Sequence, residues 1–250
     1  MYPYIQIVLP SYEVMAFLGG IIALLFVYFR LDTYQIIFTE FLKLFFICAA
    51  SCFVGSKLLF IGTKLPVMMH DFSIQNVIQI IIESGFVFYG GLFGVIAALV
   101  FYTRNDKCMR KKLFALITPA IPLFHSFGRI GCLLAGCCYG KTLEQPIGIA
   151  GFVEFYKIPV PLLEAAFEFV LFLILLLMEK RAFQGDLLQV YLITYAVFRF
   201  ANEFFRGDEA RGRLFMFSTS QWISMGVVIF YFIRMIKQGK RREVTKENCL

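Results

Sequence analysis

Long apolar runs separated by short, mostly basic connections set the plan of this chain. A helix that crosses a bilayer needs roughly 17–25 apolar residues, and such runs recur at 12–30, 38–62, 85–103, 113–133, 161–179, 187–205 and 215–235. The pattern predicts an all-α membrane protein with about seven transmembrane helices. Pro119 and Pro122 interrupt the fourth run, followed by polar His125-Ser126. Proline removes a ladder hydrogen bond, so a broken helix is expected just ahead of Arg129. The stretch 63–84 is too polar to span. Within it Phe72, Ile74, Val77, Ile78, Ile81 and Ile82 recur at helical spacing between Gln75, Asn76, Gln79 and Glu83, which predicts an amphipathic helix on the membrane interface. Residues 1–236 thus read as one transmembrane domain and 237–250 as a basic tail.

Basic residues orient these spans. Arg104, Lys107, Arg110, Lys111 and Lys112 crowd one connection, Lys180 and Arg181 mark a second, and Arg234, Lys237, Lys240, Arg241, Arg242 and Lys246 fill the tail. With seven spans all of these fall on the side of Arg30. The positive-inside rule then predicts an outer N-terminus and a cytoplasmic C-terminus. Composition agrees: 60% of the 250 residues are hydrophobic and only 16% charged, against about a quarter charged in soluble domains. The net charge of +7 suits an anionic inner leaflet, and nucleic acid is not expected as a partner. The first apolar run is long enough to remain as an anchor, and no cleavable leader is expected.

The richest local pattern is His125-Ser-Phe-Gly128-Arg129-Ile-Gly131-Cys132-Leu-Leu-Ala-Gly136-Cys137-Cys138-Tyr139-Gly140-Lys141. An arginine at the end of a membrane segment is expensive without a partner. Its planar fork matches phosphate oxygens, and neighbouring glycines permit close approach. This predicts a phosphate-bearing, lipidic ligand at the bilayer boundary; a snorkelling arginine beside tight helix packing is the competing reading. A second cluster closes the sixth run, where Arg199, Glu203 and Arg206 share a helix face with Asn202. Either it is an internal ion pair or its spare positive charge takes a phosphate. Gly90, Gly91 and Gly94 follow Tyr89 and form a small-residue groove, for lipid or for helix packing. Glu164 and Glu168 are carboxylates at i, i+4 near an apolar run, either protonated or paired to arginines, with Arg129 or Arg199 the expected partners.

The seven cysteines do not complete a disulfide framework, being odd in number. Cys132, Cys137 and Cys138 do not match paired zinc-ligand spacing, and the chain has only two histidines; no metal site is expected. A cysteine nucleophile activated by Arg129, with His125 as base, is a second reading, and small-residue packing or an outer-face disulfide a third.

Gly128-Arg129-Ile130-Gly131, Gly90-Gly91-Leu92-Phe93-Gly94, Pro119-Ala-Ile-Pro122, Leu162-Leu-Glu164-Ala165, Arg199-x-x-x-Glu203-Phe-x-Arg206 and Gln221-Trp-Ile-Ser224 occur in the order seen in bacterial prolipoprotein diacylglyceryl transferases. Over nearly its whole length the chain resembles that family. The resemblance implies transfer of a diacylglyceryl group from phosphatidylglycerol to the lipobox cysteine of a preprolipoprotein, in the bacterial cytoplasmic membrane and without cofactor. It implies that Arg129 binds the phosphate and that Arg199 with Glu203 forms a second essential cluster. Tyr12 is similar to the family's N-terminal tyrosine, and Gly140 to the glycine closing the signature. Gly90, Gly91, Gly94, Gly128, Gly131, Glu164 and Arg206 are expected around the substrate.

Three departures stand out. Tyr89 replaces the family's histidine before Gly-Gly, Cys132 its signature asparagine and Cys137 its acidic residue. Tyr89 is expected among the catalytic residues as a hydrogen-bonding group in the donor cavity rather than a strong base. The implied chemistry is thiolate attack on the glyceryl carbon bearing the phosphodiester, with arginines stabilising the departing phosphate. A related transferase with a different acceptor, or a phospholipid-binding or transport protein without turnover, are the alternatives.

Overall fold

Each of the seven apolar runs coincides with helix in the computed structural model, which describes residues 4–5, 9–70, 87–149, 153–181, 186–207, 213–214 and 216–247. The order is β1 (Tyr4–Ile5), β2 (Leu9–Pro10), α1 (Ser11–Tyr28), a 3₁₀ turn (Asp32–Tyr34), α2 (Phe38–His70), α3 (Phe88–Tyr102), α4 (Lys107–Ile117) and α5 (Ala120–Ala135). There follow β3 (Thr142–Ile149), β4 (Val153–Lys157), α6 (Val160–Lys180), α7 (Leu187–Asn202), a 3₁₀ turn (Glu203–Phe205), β5 (Arg213–Leu214), β6 (Phe217–Ser218) and α8 (Thr219–Glu247). The expected break before Arg129 is present: α4 stops at Ile117, and α5 restarts after Thr118-Pro119.

Among the described residues, five stretches are long and apolar enough to cross a membrane: Ser11–Tyr28, Phe38–Thr63, Lys107–Ala135, Val160–Lys180 and Thr219–Ile236. Seven spans are expected, and two of the helices over the apolar runs are short. Helix α3 has 15 residues and α7 has 16, or roughly 22–24 Å at 1.5 Å per residue, against a hydrocarbon core of about 30 Å. The amphipathic segment expected at 63–84 lies mostly outside the described residues. Its first part, as far as His70, continues the backbone of α2.

The sequence pattern did not reveal the β3–β4 hairpin. It is antiparallel, with Ile147 opposite Phe155, Gly148 opposite Glu154 and an irregular register between Thr142 and Ile147. Pro146 lies within that irregular stretch, as expected of a residue that cannot donate to a ladder.

The chain divides into two units. One comprises residues 27–116 and holds α2, α3 and most of α4. Its organising contact is α2 against α3 through small residues. A Cβ on Gly90 or Gly94 would run into the backbone carbonyl of Gly55 or Ser51, and one on Gly91 would lie 2.7 Å from Ser56 Oγ. Leu99, Leu113 and Leu116 are buried in this unit. Arg30 donates to the Leu116 carbonyl and to the Tyr34 hydroxyl, and the Tyr102 hydroxyl donates to Glu40.

The other unit comprises residues 1–26 and 117–250. Helix α6 shows its logic. One face buries Val160, Glu164, Ala165, Glu168, Leu171, Phe172 and Leu175, while Phe169, Val170, Leu173, Ile174 and Leu177 point outward. Apolar outside and carboxylates inside is the arrangement of a helix in lipid, where ionisable side chains face the bundle interior. Asp186 caps α7 by accepting from the amides of Leu188 and Gln189. Ser218 and Gln221 cap α8 reciprocally: the Gln221 amide donates to Ser218 Oγ at 3.2 Å, and the Ser218 amide to Gln221 Oε1 at 3.0 Å.

Candidate functional site

Three helices of the second unit bring charged residues together by simple periodicity. On α5, His125, Arg129 and Cys132 follow at i, i+4 and i+7 and are all buried. On α6, Glu164 and Glu168 stand one turn apart on the buried face. On α7, Tyr195, Arg199 and Asn202 recur at the same spacing, and all are buried. Pro161 in the first turn of α6 needs no amide partner, so the helix can start immediately before Glu164.

Glu164 is the hub. Its Oε2 lies 2.7 Å from Arg129 Nε, and its Oε1 lies 3.4 Å from Arg199 Nη1 and 3.9 Å from Arg206 Nη1. Asn202 Nδ2 donates to the same Oε1 at 2.9 Å. Arg199 Nη1 also lies 2.6 Å from Glu203 Oε2, and Arg199 Nη2 donates to Ser220 Oγ at 3.2 Å. The Arg199–Glu203 pair closes across one helical turn, as its i, i+4 spacing indicates. Side-chain exposure is only 2% for Glu164 and 3% for Arg199. Charges buried to this degree persist only when paired and hydrogen-bonded. The guanidiniums of Arg129, Arg199 and Arg206 thus gather around Glu164, with Glu203 against Arg199.

His125 links this hub to a third carboxylate. Arg129 Nε donates to His125 Nε2 at 3.1 Å, and His125 Nδ1 lies 2.8 Å from Glu168 Oε1. An arginine Nε–H can only donate, so Nε2 is the acceptor and the ring proton sits on Nδ1, donated to Glu168. The Tyr195 ring packs edge-on against the imidazole at 5.4 Å. Both ring nitrogens are engaged, which gives His125 a positioning place rather than that of an open base.

The remaining expected residues fall into three groups. In the same unit, a Cβ on Gly131 would lie 3.1–3.2 Å from Met15 and Tyr12, so this glycine lets α1 approach α5. Tyr12 is 41% exposed as a residue, and its phenol lies within electrostatic reach of Arg129, Cys132, Cys137 and Cys138. Gly140 is a chain crossing. Its amide donates to the Ile158 carbonyl at 2.8 Å, it bridges to Arg206, and a Cβ there would lie 2.7 Å from the Phe205 carbonyl oxygen. Gly128 is different, because a Cβ there would meet nothing within 4 Å. Tyr89, Gly90, Gly91 and Gly94 belong to the unit of residues 27–116. There Tyr89 is buried and stacks on Phe93 at 5.7 Å, and the glycines receive α2.

Sequence reasoning did not single out Ser220, and it placed His125 only as a conjectural base. The spacing of His125 from Arg129 was the available signal; no sequence feature marked Ser220. Among the described residues, one group of potential metal ligands stands together, Cys132, Cys137 and Cys138.

Comparison with known proteins gives the chain a family. The family model described as prolipoprotein diacylglyceryl transferase matches residues 3–237. A phosphatidylglycerol–prolipoprotein diacylglyceryl transferase of Clostridium tetani is 34% identical over 197 residues, covering 74% of this chain and 77% of that protein. A second, from Clostridium perfringens, is 35% identical over 201 residues, covering 75% and 76%. One from Chlorobaculum tepidum is 41% identical over 133 residues, covering 51% and 46%.

Proposed function

The chain belongs to the prolipoprotein diacylglyceryl transferase family, and from that premise we propose that it moves the diacylglyceryl group of phosphatidylglycerol to the lipobox cysteine thiol of preprolipoproteins. The observation that carries this reading is the convergence of Arg129, Arg199 and Arg206 on Glu164. Guanidiniums held in a buried, preorganised cluster can stabilise the charge on a departing phosphate monoester.

In this reading the acceptor sulfur forms a bond to the glyceryl carbon, the carbon–oxygen bond to phosphate breaks, and glycerol phosphate leaves with the electron pair. The thiol proton passes to a base or to water. Arg129 Nε contacts His125 and Glu164, and the guanidinium's two terminal nitrogens offer a fork to the phosphate. His125 and Glu168 hold that fork from behind, while Glu164 and Glu203 hold Arg199. Residues 1–236 act as one membrane domain with seven membrane segments and an outer N-terminus, in the bacterial cytoplasmic membrane. Arg129, in the second half of the segment that follows the basic 104–112 connection, then lies toward the outer leaflet. The donor and the acceptor's signal peptide reach it from the bilayer.

The test uses purified protein, phosphatidylglycerol and a lipobox peptide. Stoichiometric release of glycerol phosphate with formation of a thioether supports the reading. Donor binding without release under any peptide would overturn it in favour of a lipid-binding protein.

A further inference from the structure

We propose that Cys132, Cys137 and Cys138 form a three-thiolate site for a zinc-class divalent ion, with its fourth position open to the thiol of the acceptor. Their sulfur atoms all lie within 4.8 Å of one another. Tetrahedral coordination at a Zn–S distance of about 2.3 Å places sulfurs ~3.8 Å apart, so closure requires side-chain movements on the order of 1 Å. The linear spacing argued against such a site, because adjacent cysteines after a four-residue gap do not match paired zinc ligands. The backbone removes the objection. Helix α5 ends at Gly136 in the left-handed region (φ 72°), and Cys138 is also left-handed at φ 60°. For a non-glycine residue that conformation carries strain of order 1 kcal/mol and calls for a reason. The double reversal folds Cys137 and Cys138 back over the last turn of α5, where Cys132 sits and where Cys137 Sγ reaches the Cys132 carbonyl at 3.6 Å.

The surroundings favour a cation held by thiolates. The C-terminal end of a helix carries partial negative charge, which suits a metal ion. Three thiolates on a divalent ion leave one negative charge, and Arg129 lies within electrostatic reach. Cys132 is buried and Cys137 exposed, so the cluster has a closed side and an open one. Three protein ligands with one vacant position is the pattern of a reactive rather than a structural zinc site. Metal coordination keeps a thiol ionised and nucleophilic at neutral pH. A thiol is what the transfer needs as nucleophile, so the open position suits the acceptor cysteine, which would lose its proton to solvent on binding. This acceptor role rests on the transferase reading; the metal site itself does not.

Cobalt(II) is the probe. Anaerobically reduced protein in detergent is titrated with Co²⁺ alone, with sulfur-to-cobalt charge transfer and tetrahedral ligand-field bands followed. One equivalent should bring up both, and Zn²⁺ should erase them. The exposed Cys137→Ser variant should weaken binding by at least ~10-fold, and Cys132→Ser/Cys137→Ser/Cys138→Ser should lose the bands, while Cys48→Ser/Cys52→Ser/Cys108→Ser retains them. A lipobox cysteine peptide should then shift the ligand-field bands, and its serine analogue should not. Absence of charge transfer, or its persistence in the triple variant, overturns the metal site. That includes the case in which two of these cysteines form a stable disulfide. Normal bands that ignore the cysteine peptide, in protein that still releases glycerol phosphate, overturn the acceptor role. Normal bands that respond to the peptide, without glycerol phosphate release, support the site and sink the transferase reading instead.

Discussion

Arg129 Nε donates to His125 Nε2 at 3.1 Å, one helical turn away on α5. That single bond fixes the imidazole tautomer, because the remaining ring proton must go to Glu168. The histidine thereby transmits the placement of a buried carboxylate on α6 to the guanidinium. Replacing His125 with Phe should leave Glu168 without its donor and Arg129 without one acceptor. Expected is a loss of about 1–3 kcal/mol of stability and a fall in kcat larger than the change in KM for the donor. Rescue by His125→Gln, which keeps a donor and an acceptor, is the check. A Phe variant with normal kcat would show that the relay positions nothing.

Arg129→Lys keeps the charge and removes the fork. An ammonium is a point charge and cannot offer two parallel donors to phosphate. Turnover should fall while the protein remains folded, as judged by detergent gel filtration and thermal melting. Wild-type turnover in the lysine variant would remove the bidentate role.

Glu164→Gln tests the hub. Arg129, Arg199 and Arg206 all lie within 4 Å of this carboxylate, so neutralising it leaves buried cations uncompensated. Breaking such a pair costs about 3–5 kcal/mol, and the variant should melt earlier and lose activity. Arg199 with Glu203 separates pairing from function: an apolar replacement of both restores charge balance and should recover stability but not turnover. Retained turnover in that double variant would make the pair a purely structural one.

The helices were legible because bilayer length and apolar runs are nearly the same information. Arg129, Arg199, Glu164 and Glu203 were legible because ionisable residues beside apolar runs need partners, and i, i+4 spacing names the local ones. Three features were hidden for physical reasons. Short exposed strands such as β3, with Pro146 and Gly148 in it, carry no clear alternation. The place of His125 depends on Glu168, 43 residues away, and no local pattern encodes that distance. The cysteine cluster depends on left-handed backbone at Gly136 and Cys138, and left-handed non-glycine residues are seldom foreseeable.

Tyr89 is buried and stacked on Phe93, so its ring has a packing place apart from its hydroxyl. Tyr89→Phe should preserve the fold and, if the hydroxyl meets the donor, cost about 1.5–3 kcal/mol in binding or barrier, as for one hydrogen bond to a charged group. Tyr89→His introduces the histidine that the family resemblance implies at this position. Faster turnover on a lipobox peptide would mark the chain as a weakened prolipoprotein transferase, and no gain would argue that this position has been reassigned.

Two glycines expected around the substrate should behave in opposite ways. Gly90 faces the backbone of α2, and a Cβ there collides with the Gly55 carbonyl and lies 2.8 Å from Leu59. Backbone cannot give way as a flexible side chain can, so Gly90→Ala should cost about 1–3 kcal/mol through overpacking, and activity should fall in step with stability. Gly128 sits in the interior of α5, next to Arg129, with nothing within 4 Å of an added Cβ. Alanine there should raise helix stability by up to ~1 kcal/mol. If the open space beside Gly128 admits the donor headgroup to Arg129, Gly128→Ala will raise KM for phosphatidylglycerol while the melting temperature holds or increases. Thermal melts and donor titrations of both variants decide the matter. A Gly128→Ala protein that is more stable and fully active would remove this position from the substrate path and leave the approach to Arg129 on the Tyr12 side of α5.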